Sequence, residues 1–515
     1  MSARPFIRLH PEDNLAVAAR SVPAGVAIGV EDAAVLKTAE TIEMGHKVAL
    51  RSIEQGQPIR KFGQTIGYAK QPIPAGGWIH THNVEAGTLS LDYAFCSEIP
   101  PEPTPINGRT FQGYRRADGR AATRNYIGIV STVNCSAHTS KIVAQKFDQS
   151  ILEAFPNIDG VVPLIHKGGC AMQYGGTDHR QLTRTLAGFA RHANIGAYIV
   201  IGLGCETAQA SFLMEQGGLV QLNAPKDVFG NTPLVMNIQE QGGVAKTVAR
   251  ATAMIREMLP EANKVQRVPI PVSEITLGVE CGGSDGNSGT TANPALGYCS
   301  DLLVAAGGTS VLSETPEIYG GEYLLTRRAI NRQVADKLLE RIQWWIDYTA
   351  KFGERIDINP SVGNKKGGLT TIYEKSLGAI AKGGTTALRA VYEYAEEIKE
   401  KGFVVMDTPG YDPASVTGIV AGGCNVVVFT TGRGSVFGCK PVPTIKLATN
   451  TPMYNRMIDD MDLNAGTILD GATIEQVGHE IFEEVIAVAS GKKTKSEAQG
   501  IGDEEFHPWT WGPVT

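Results

Sequence analysis

Long hydrophobic runs are missing from the 515 residues: no stretch approaches the roughly 18 apolar positions of a membrane span, and the start has no signal-peptide core. A soluble, cytoplasmic chain is expected. A positive excess is missing too. Lys and Arg number 47 against 53 Asp and Glu, a formal net charge of −6, which leaves nothing spare for gripping phosphate backbones, so neither nucleic acid nor a membrane is expected as a partner. No GxxxxGK[ST] loop occurs, and Gly202-Leu-Gly204-Cys205 lacks the later glycine of a dinucleotide fingerprint, which disfavours nucleotide binding by either motif. Low-complexity runs and heptad arrays are likewise absent.

Glycine, by contrast, is abundant: 59 of 515 residues, about 11% against an average near 7%, which implies many tight loops. Residues 1–98 carry short β-type stretches such as 26–30, 47–50 and 65–68 between Gly and Pro turns, and read as a small, mostly β unit. A Pro-rich linker follows over 99–112. From there apolar runs alternate with helical patterns: strands at 126–130, 160–165 and 197–201, helices at 140–155, 178–193 and up to Leu259. After a polar, Pro-containing break the pattern restarts with strands at 275–279, 309–312, 403–406, 425–429 and 444–447, a long helix at 327–351 and a final one at 474–489. The alternation predicts two α/β units with largely parallel sheets, 113–265 and 266–515.

Eight cysteines are present, with no secretion signal to favour disulfides. Cys135, Cys170 and Cys205 recur every 35 residues, and with Cys281 each follows an apolar strand. Carboxyl ends of parallel strands share one edge, where ligands bind. The four thiols are therefore either a soft-donor site for iron, an iron–sulfur cluster or zinc, or small side chains at crowded strand ends; no CxxC spacing decides between these. Three glycine-rich loops have the chemistry to receive an anion. Cys281-Gly-Gly-Ser284-Asp285 offers backbone N–H groups and a hydroxyl, Gly363-Asn364-Lys365-Lys366-Gly-Gly368 a lysine, and Thr430-Thr-Gly-Arg433-Gly434 a guanidinium suited to bidentate pairing with a carboxylate. His80 and His82 would share one face of a strand as metal ligands or proton carriers. His166, in the loop before Cys170, is a candidate acid/base or a histidine bonded to backbone.

These motifs, with Gly113-Tyr-Arg-Arg-Ala-Asp-Gly119, Thr123-Arg124-Asn125, Ile201-Gly-Leu-Gly-Cys-Glu206, Thr291-Ala-Asn-Pro294 and Asn464-Ala-Gly-Thr467, resemble the altronate dehydratase and D-galactarate dehydratase family over nearly the whole chain. The resemblance implies an amino-terminal SAF-type domain, containing Gly45-His-Lys-Val-Ala-Leu50, and a cytoplasmic hydro-lyase that converts a sugar acid to a 2-keto-3-deoxy acid. It implies a divalent metal, usually ferrous iron, as Fe2+ or as an iron–sulfur cluster on three of Cys135, Cys170, Cys205 and Cys281, and a homo-oligomer such as a dimer. Arg433 and Lys365 would hold the carboxylate; Arg124, Asn125, Ser284, Asp285 and Asn364 would bind substrate polar groups; His166, His80 and His82 would move protons. Related lyases expel sulfite from a sulfolactate-like acid, and SAF-type domains also occur in non-catalytic binding proteins, which leaves those two alternatives.

Overall fold

The computed structural model describes residues 5–29, 36–89, 91–219 and 234–512; Val30, the end of the expected 26–30 strand, lies outside them. In the amino-terminal unit two small antiparallel sheets pack together, one of Phe6–Ile7, Leu15–Ala18, Lys47–Ala49 and Trp78–Ile79, the other of Pro58–Lys61, Gln64–Ala69 and Val84–Glu85. Strand alternation sends Leu15 and Val17 into one core and Ala16 and Ala18 into another. Between Pro58–Lys61 and Gln64–Ala69 the chain reverses at Phe62 and Gly63, both at positive φ (62° and 71°). Asp13 accepts both of their N–H groups, at 3.2 and 2.8 Å, which fixes the direction in which Lys61 leaves the strand.

Two parallel sheets come next, as the alternation predicts. The first has the order Gly160–Leu164, Tyr126–Ser131, Ile195–Gly202, Leu234–Asn237. The second has seven strands: Leu388–Tyr392, Gly402–Met406, Thr309–Leu312, Thr276–Cys281, Val426–Thr431, Thr444–Ala448 and Leu463–Asn464. In each, chain order reverses beside the founding strand: at Tyr126–Ser131 against Ile195–Gly202 in the first, at Thr276–Cys281 against Val426–Thr431 in the second. Such reversals open a crevice beyond the strands' carboxyl ends, because the loops after the two strands leave in opposite directions.

Some elements differ from expectation. The helix expected at 140–155 starts earlier, at Asn134, and stops at Ala144 before a short turn at Gln149–Leu152. The Pro-containing break holds a strand, Arg267–Pro271, pairing antiparallel with Thr110–Arg115; its prolines are tolerated because it is an edge strand. Among the described residues no helix is long and apolar enough to cross a membrane.

Candidate active site

The seven-stranded sheet ends in a buried cluster of ionisable groups. Cys281 closes its strand, and Glu314 follows the neighbouring strand Thr309–Leu312, its backbone held at φ 64°, a conformation non-glycine residues adopt at a cost. Lys382 pairs with Glu314 Oε2, and Lys375 with Glu317 Oε1 at 2.6 Å. The remaining oxygens, Glu314 Oε1 and Glu317 Oε2, face the Cys281 sulfur at 3.8 and 3.7 Å. Beneath them Glu280 accepts from Ser313 and Ser415 through Oε1, while its Oε2 has no partner. Burial and then the Glu314 charge push the Glu280 carboxyl well above the ordinary range, and the same two causes push the Cys281 thiol up. Asp412, at the start of the helix Asp412–Ala421, is raised to about 7 by burial and then by Glu314 and Glu317.

Three loops expected at the site do meet here. Gly286 N–H donates to Gly367 O at 2.8 Å, Arg433 N–H to Gly283 O at 2.8 Å, and Asn364 Nδ2 to Ser284 O at 2.8 Å. Asp285 is not a free acceptor, since Ser288, Thr449, Asn450 and the Asn287 N–H all donate to it; it fastens the loops together. The Ser284 hydroxyl is buried with no partner. Arg433 is exposed and Lys365 half-buried, so their cations stay available at the rim.

The amino-terminal unit closes the site. Gly45 sits at φ 79°, and a Cβ there would lie 3.2 Å from Gly367 O and 3.3 Å from Asn287, so glycine relieves both the backbone conformation and a tight contact. Beside it Lys47 and Lys61, both buried, converge on Glu374 at 2.9 and 2.8 Å. Burial, and then the second ammonium of Lys61, lowers Lys47 to about 8 against the attraction of Glu374. Lys61, Cys281, Ser284, Asp285, Glu374 and Lys375 line an enclosed void of about 10 Å³, room for about one water. His80 and His82 are not on a strand: Trp78–Ile79 ends before them and residues 81–83 form a turn. His80 instead stacks on Trp78 (5.0 Å, 12°), lies 5.0 Å from the His46 ring, and has an unpartnered Nδ1; burial and then Lys47 lower it to about 4. His82 is exposed beside Trp78.

Profiles of three domains match in register with this architecture: the altronate/galactarate dehydratase SAF domain at residues 4–87, the D-galactarate dehydratase/altronate hydrolase second domain at 113–263, and the D-galactarate/altronate dehydratase C-terminal domain at 272–514. The chain is 37% identical to altronate dehydratase of Bacillus subtilis (strain 168) over 96% of each chain. The chain belongs to the D-galactarate/altronate dehydratase family of hydro-lyases. It is also 38% identical to galactarate dehydratase (L-threo-forming) of Escherichia coli (strain K12), over 99% of this chain and 97% of that one. To the beta subunit of (2R)-sulfolactate sulfo-lyase from Chromohalobacter salexigens it is 33% identical, over 78% of this chain and 97% of the other.

The Thr123-Arg124-Asn125 motif lies elsewhere, and its two long polar side chains are structural. Arg124 spends all five N–H donors inside the protein: both carboxylate oxygens of Glu497, at 2.6 and 2.8 Å, and the carbonyls of Thr123, Val488 and Lys492. Asn125 is fully buried and bonds Arg116, Asn157 and Ala262. Neither keeps a donor for substrate. His166 also departs from the acid/base expectation. Its Nε2 lies 3.0 Å from Ser131 O and its Nδ1 accepts from Gly168 N–H at 3.1 Å, because the strand-end loop folds back over the ring; burial lowers it to about 4.

The four cysteines divide. Cys135, Cys170 and Cys205 are exposed at the reversal point of the four-stranded sheet, on touching loops: Asn134 N–H donates to Gly168 O and Ala208 N–H to Gly169 O, both at 2.9 Å. Cys281 is buried and belongs to the other sheet, so the expectation that all four gather at one edge fails. Its donor set with Glu314 and Glu317, ligand atoms within 4.8 Å of one another, escapes the sequence reading, as do Lys47, Lys61, Glu374, Lys375 and Lys382. This set fits a divalent cation: four carboxyls (Glu280, Glu314, Glu317, Asp412) face only two ammoniums, and the oxygens left over by the lysines point at the sulfur. Among the described residues Cys281, Glu314 and Glu317 are the one such group of His, Cys, Asp or Glu side chains; Cys135, Cys170 and Cys205 are not part of one.

Proposed function

We propose that this chain removes water from an altronate-like aldonate or a galactarate-like aldarate, giving a 2-keto-3-deoxy acid, in the crevice where the loops after Cys281 and Thr431 diverge. The observation that carries the reading is the convergence there of a buried acid–thiol–lysine cluster, an orphaned Ser284 hydroxyl and two rim cations. Arg433 and Lys365 hold the substrate carboxylate, and charge on it rises as the C2 proton leaves, so their attraction is stronger in the transition state. The neutral, unpartnered Nδ1 of His80 is the group proposed to take that proton, with exposed His82 passing it to solvent. The C2–H electrons form the C2=C3 bond as the C3–O bond breaks, the departing hydroxyl takes one proton back from solvent to leave as water, and the enol's hydroxyl proton moves to C3 to give the ketone. Ser284 bonds a substrate hydroxyl, while Asn364 and Asp285 keep its loop in place. Cys281, Glu314 and Glu317 would hold iron or another divalent ion, which would supply a Lewis acid for the departing hydroxyl. The units 1–98, 113–265 and 266–515 are read as lid, supporting domain and catalytic domain of a cytoplasmic homodimer.

The test is anaerobic incubation with iron(II), thiol and either altronate or galactarate, followed by 2-keto acid detection, with (2R)-sulfolactate and sulfite release as a parallel arm. Product from a sugar acid, lost in Arg433→Ala, supports the reading. No product from either acid, with bound iron verified, overturns it; sulfite release alone transfers the chain to the sulfo-lyase reaction. Iron without acid-labile sulfide points to Cys281, Glu314 and Glu317, and iron with sulfide to Cys135, Cys170 and Cys205.

A further inference from the structure

Beyond the carboxyl ends of the outer strands Leu388–Tyr392 and Gly402–Met406, to one side of the reversal point, a cavity of about 490 Å³ opens between the two α/β units, within the roughly 300–1,000 Å³ of small-molecule sites. Its walls come from six separate segments, three of which supply all of its arginines and tryptophans. The helix Thr177–Arg191 presents Arg180, Arg184 and Arg191, spaced four and seven apart and so on one face. The helix Arg332–Ala350 adds Arg341 and Trp344, and the carboxyl-terminal segment adds Trp509 and Trp511. That segment is pinned at this place: Trp509 N–H donates to Tyr394 OH at 3.1 Å, Gln181 Nε2 donates to Trp509 O at 2.8 Å, and Trp509 stacks on Trp345 at 5.0 Å and 10°.

Two features ask for a ligand. Four guanidiniums face only two carboxylates of the cavity wall, Glu393 and Asp407, in a protein whose net charge is −6. Arg184 meets Glu393 at 3.3 Å, Arg341 pairs with Glu340 at 2.5 Å outside the cavity wall and stands 3.9 Å from Asp407, and Arg180 and Arg191 rest on the carbonyls of Gly175 and Gly217. In addition, Arg184 Nε, Arg341 Nε and Trp511 Nε1 are buried with no hydrogen-bond partner, and all three are donors. Unpaired buried donors are costly and call for acceptors. The second feature is aromatic: four of the five tryptophans gather here, with Phe212 in another wall. Guanidinium forks match phosphate and carboxylate oxygens, and indoles offer flat faces and edges.

We propose that this cavity binds a small flat-ringed anion, a nucleoside monophosphate in size and chemistry, at a site separate from the dehydratase crevice. Because its residues come from six segments spread between 177 and 511, it leaves no contiguous motif in the sequence. The ring would lie among the indoles and the oxyanion between Arg180, Arg184 and Arg341.

The test is quenching of intrinsic tryptophan fluorescence, checked by calorimetry, on the full-length protein. AMP and UMP probe ring plus phosphate, indole-3-acetate ring plus carboxylate, adenosine the ring alone, and inorganic phosphate and galactarate the anion alone. Saturable binding of a ring-bearing anion below about 1 mM is expected, weakened at least about 10-fold in Arg180→Gln/Arg184→Gln and in Trp511→Phe, with dehydratase activity in the absence of probe unchanged. AMP and UMP binding without indole-3-acetate binding assigns the site to phosphates, and the converse to carboxylates. No saturable binding by any ring-bearing anion overturns the proposal, as does equal binding by the variants or binding of galactarate as tight as that of AMP. None of these readouts depends on turnover, so failure here is distinct from failure of the dehydratase reading.

Discussion

The two parallel sheets present the same topological device, one open to water and the other buried. At the reversal point of the four-stranded sheet, Cys135, Cys170 and Cys205 stand exposed on loops held by backbone hydrogen bonds. At that of the seven-stranded sheet, Cys281 is buried among carboxyls and ammoniums. A thiol's chemistry is thus set by what covers the strand end, not by the strand end itself: water reaches the first three, whereas burial and Glu314 hold the proton on the fourth.

The contrast breaks most sharply through its ion pairs. Lys382→Met strips the buried Glu314 of its partner and is expected to cost about 3–5 kcal/mol, read as a drop in the urea midpoint; a neutral outcome would mean the lysines and acids of this edge are not an electrostatic unit. Acid comes next. Although burial works against its charged form, the ammoniums of Lys47 and Lys61 hold the Glu374 carboxyl well below its ordinary 4.5. With the folded value depressed, the unfolded chain binds the proton first, so the stabilisation is complete above pH 4.5 and fades as the pH falls below it. Glu374→Gln should flatten that acid limb in denaturation midpoints measured from pH 6 downward. Serine in place of Cys135, Cys170 or Cys205 should move stability by less than about 0.5 kcal/mol, while Cys170→Ser lowers bound iron if the exposed thiols hold it. Smallest in consequence for the fold is alkylation: iodoacetamide should label Cys135, Cys170 and Cys205 in the native protein and spare buried Cys281, Cys299, Cys424 and Cys439 until it unfolds, as counted by peptide mass.

Buried strands such as Tyr126–Ser131 and Val426–Thr431 are legible because a sheet covered on both faces needs continuous apolar runs. Leu388–Tyr392 escapes because it is an outermost strand whose second residue is Arg389, so its pattern is broken where one side is open. In the site, loops after strands are readable when they carry Gly and a cation, and Ser284, Asn364 and Arg433 do meet. Glu314 and Glu317 stay hidden because Ser-Glu-Thr-Pro-Glu reads as a solvated turn. The same rule that picks out the cysteines, that a residue just beyond an apolar strand sits at the ligand edge, also picks out Glu314 after Thr309–Leu312 and Asp407 after Gly402–Met406. Arg124 and Asn125 mislead for the opposite reason: a polar motif next to a strand start ties elements together, with Glu497 lying 373 positions away along the chain.

The meeting of Lys47 and Lys61 with Glu374 has one more consequence. Two charges reach from the amino-terminal unit to a single opposite charge on the carboxyl-terminal unit, with one docking hairpin, Gly45 to Lys47, placed by backbone contact. That is a recognition code as well as a closure. With the pair of ammoniums on one unit, the carboxylate on the other and Gly45 seated against backbone, the two units fit together in one orientation.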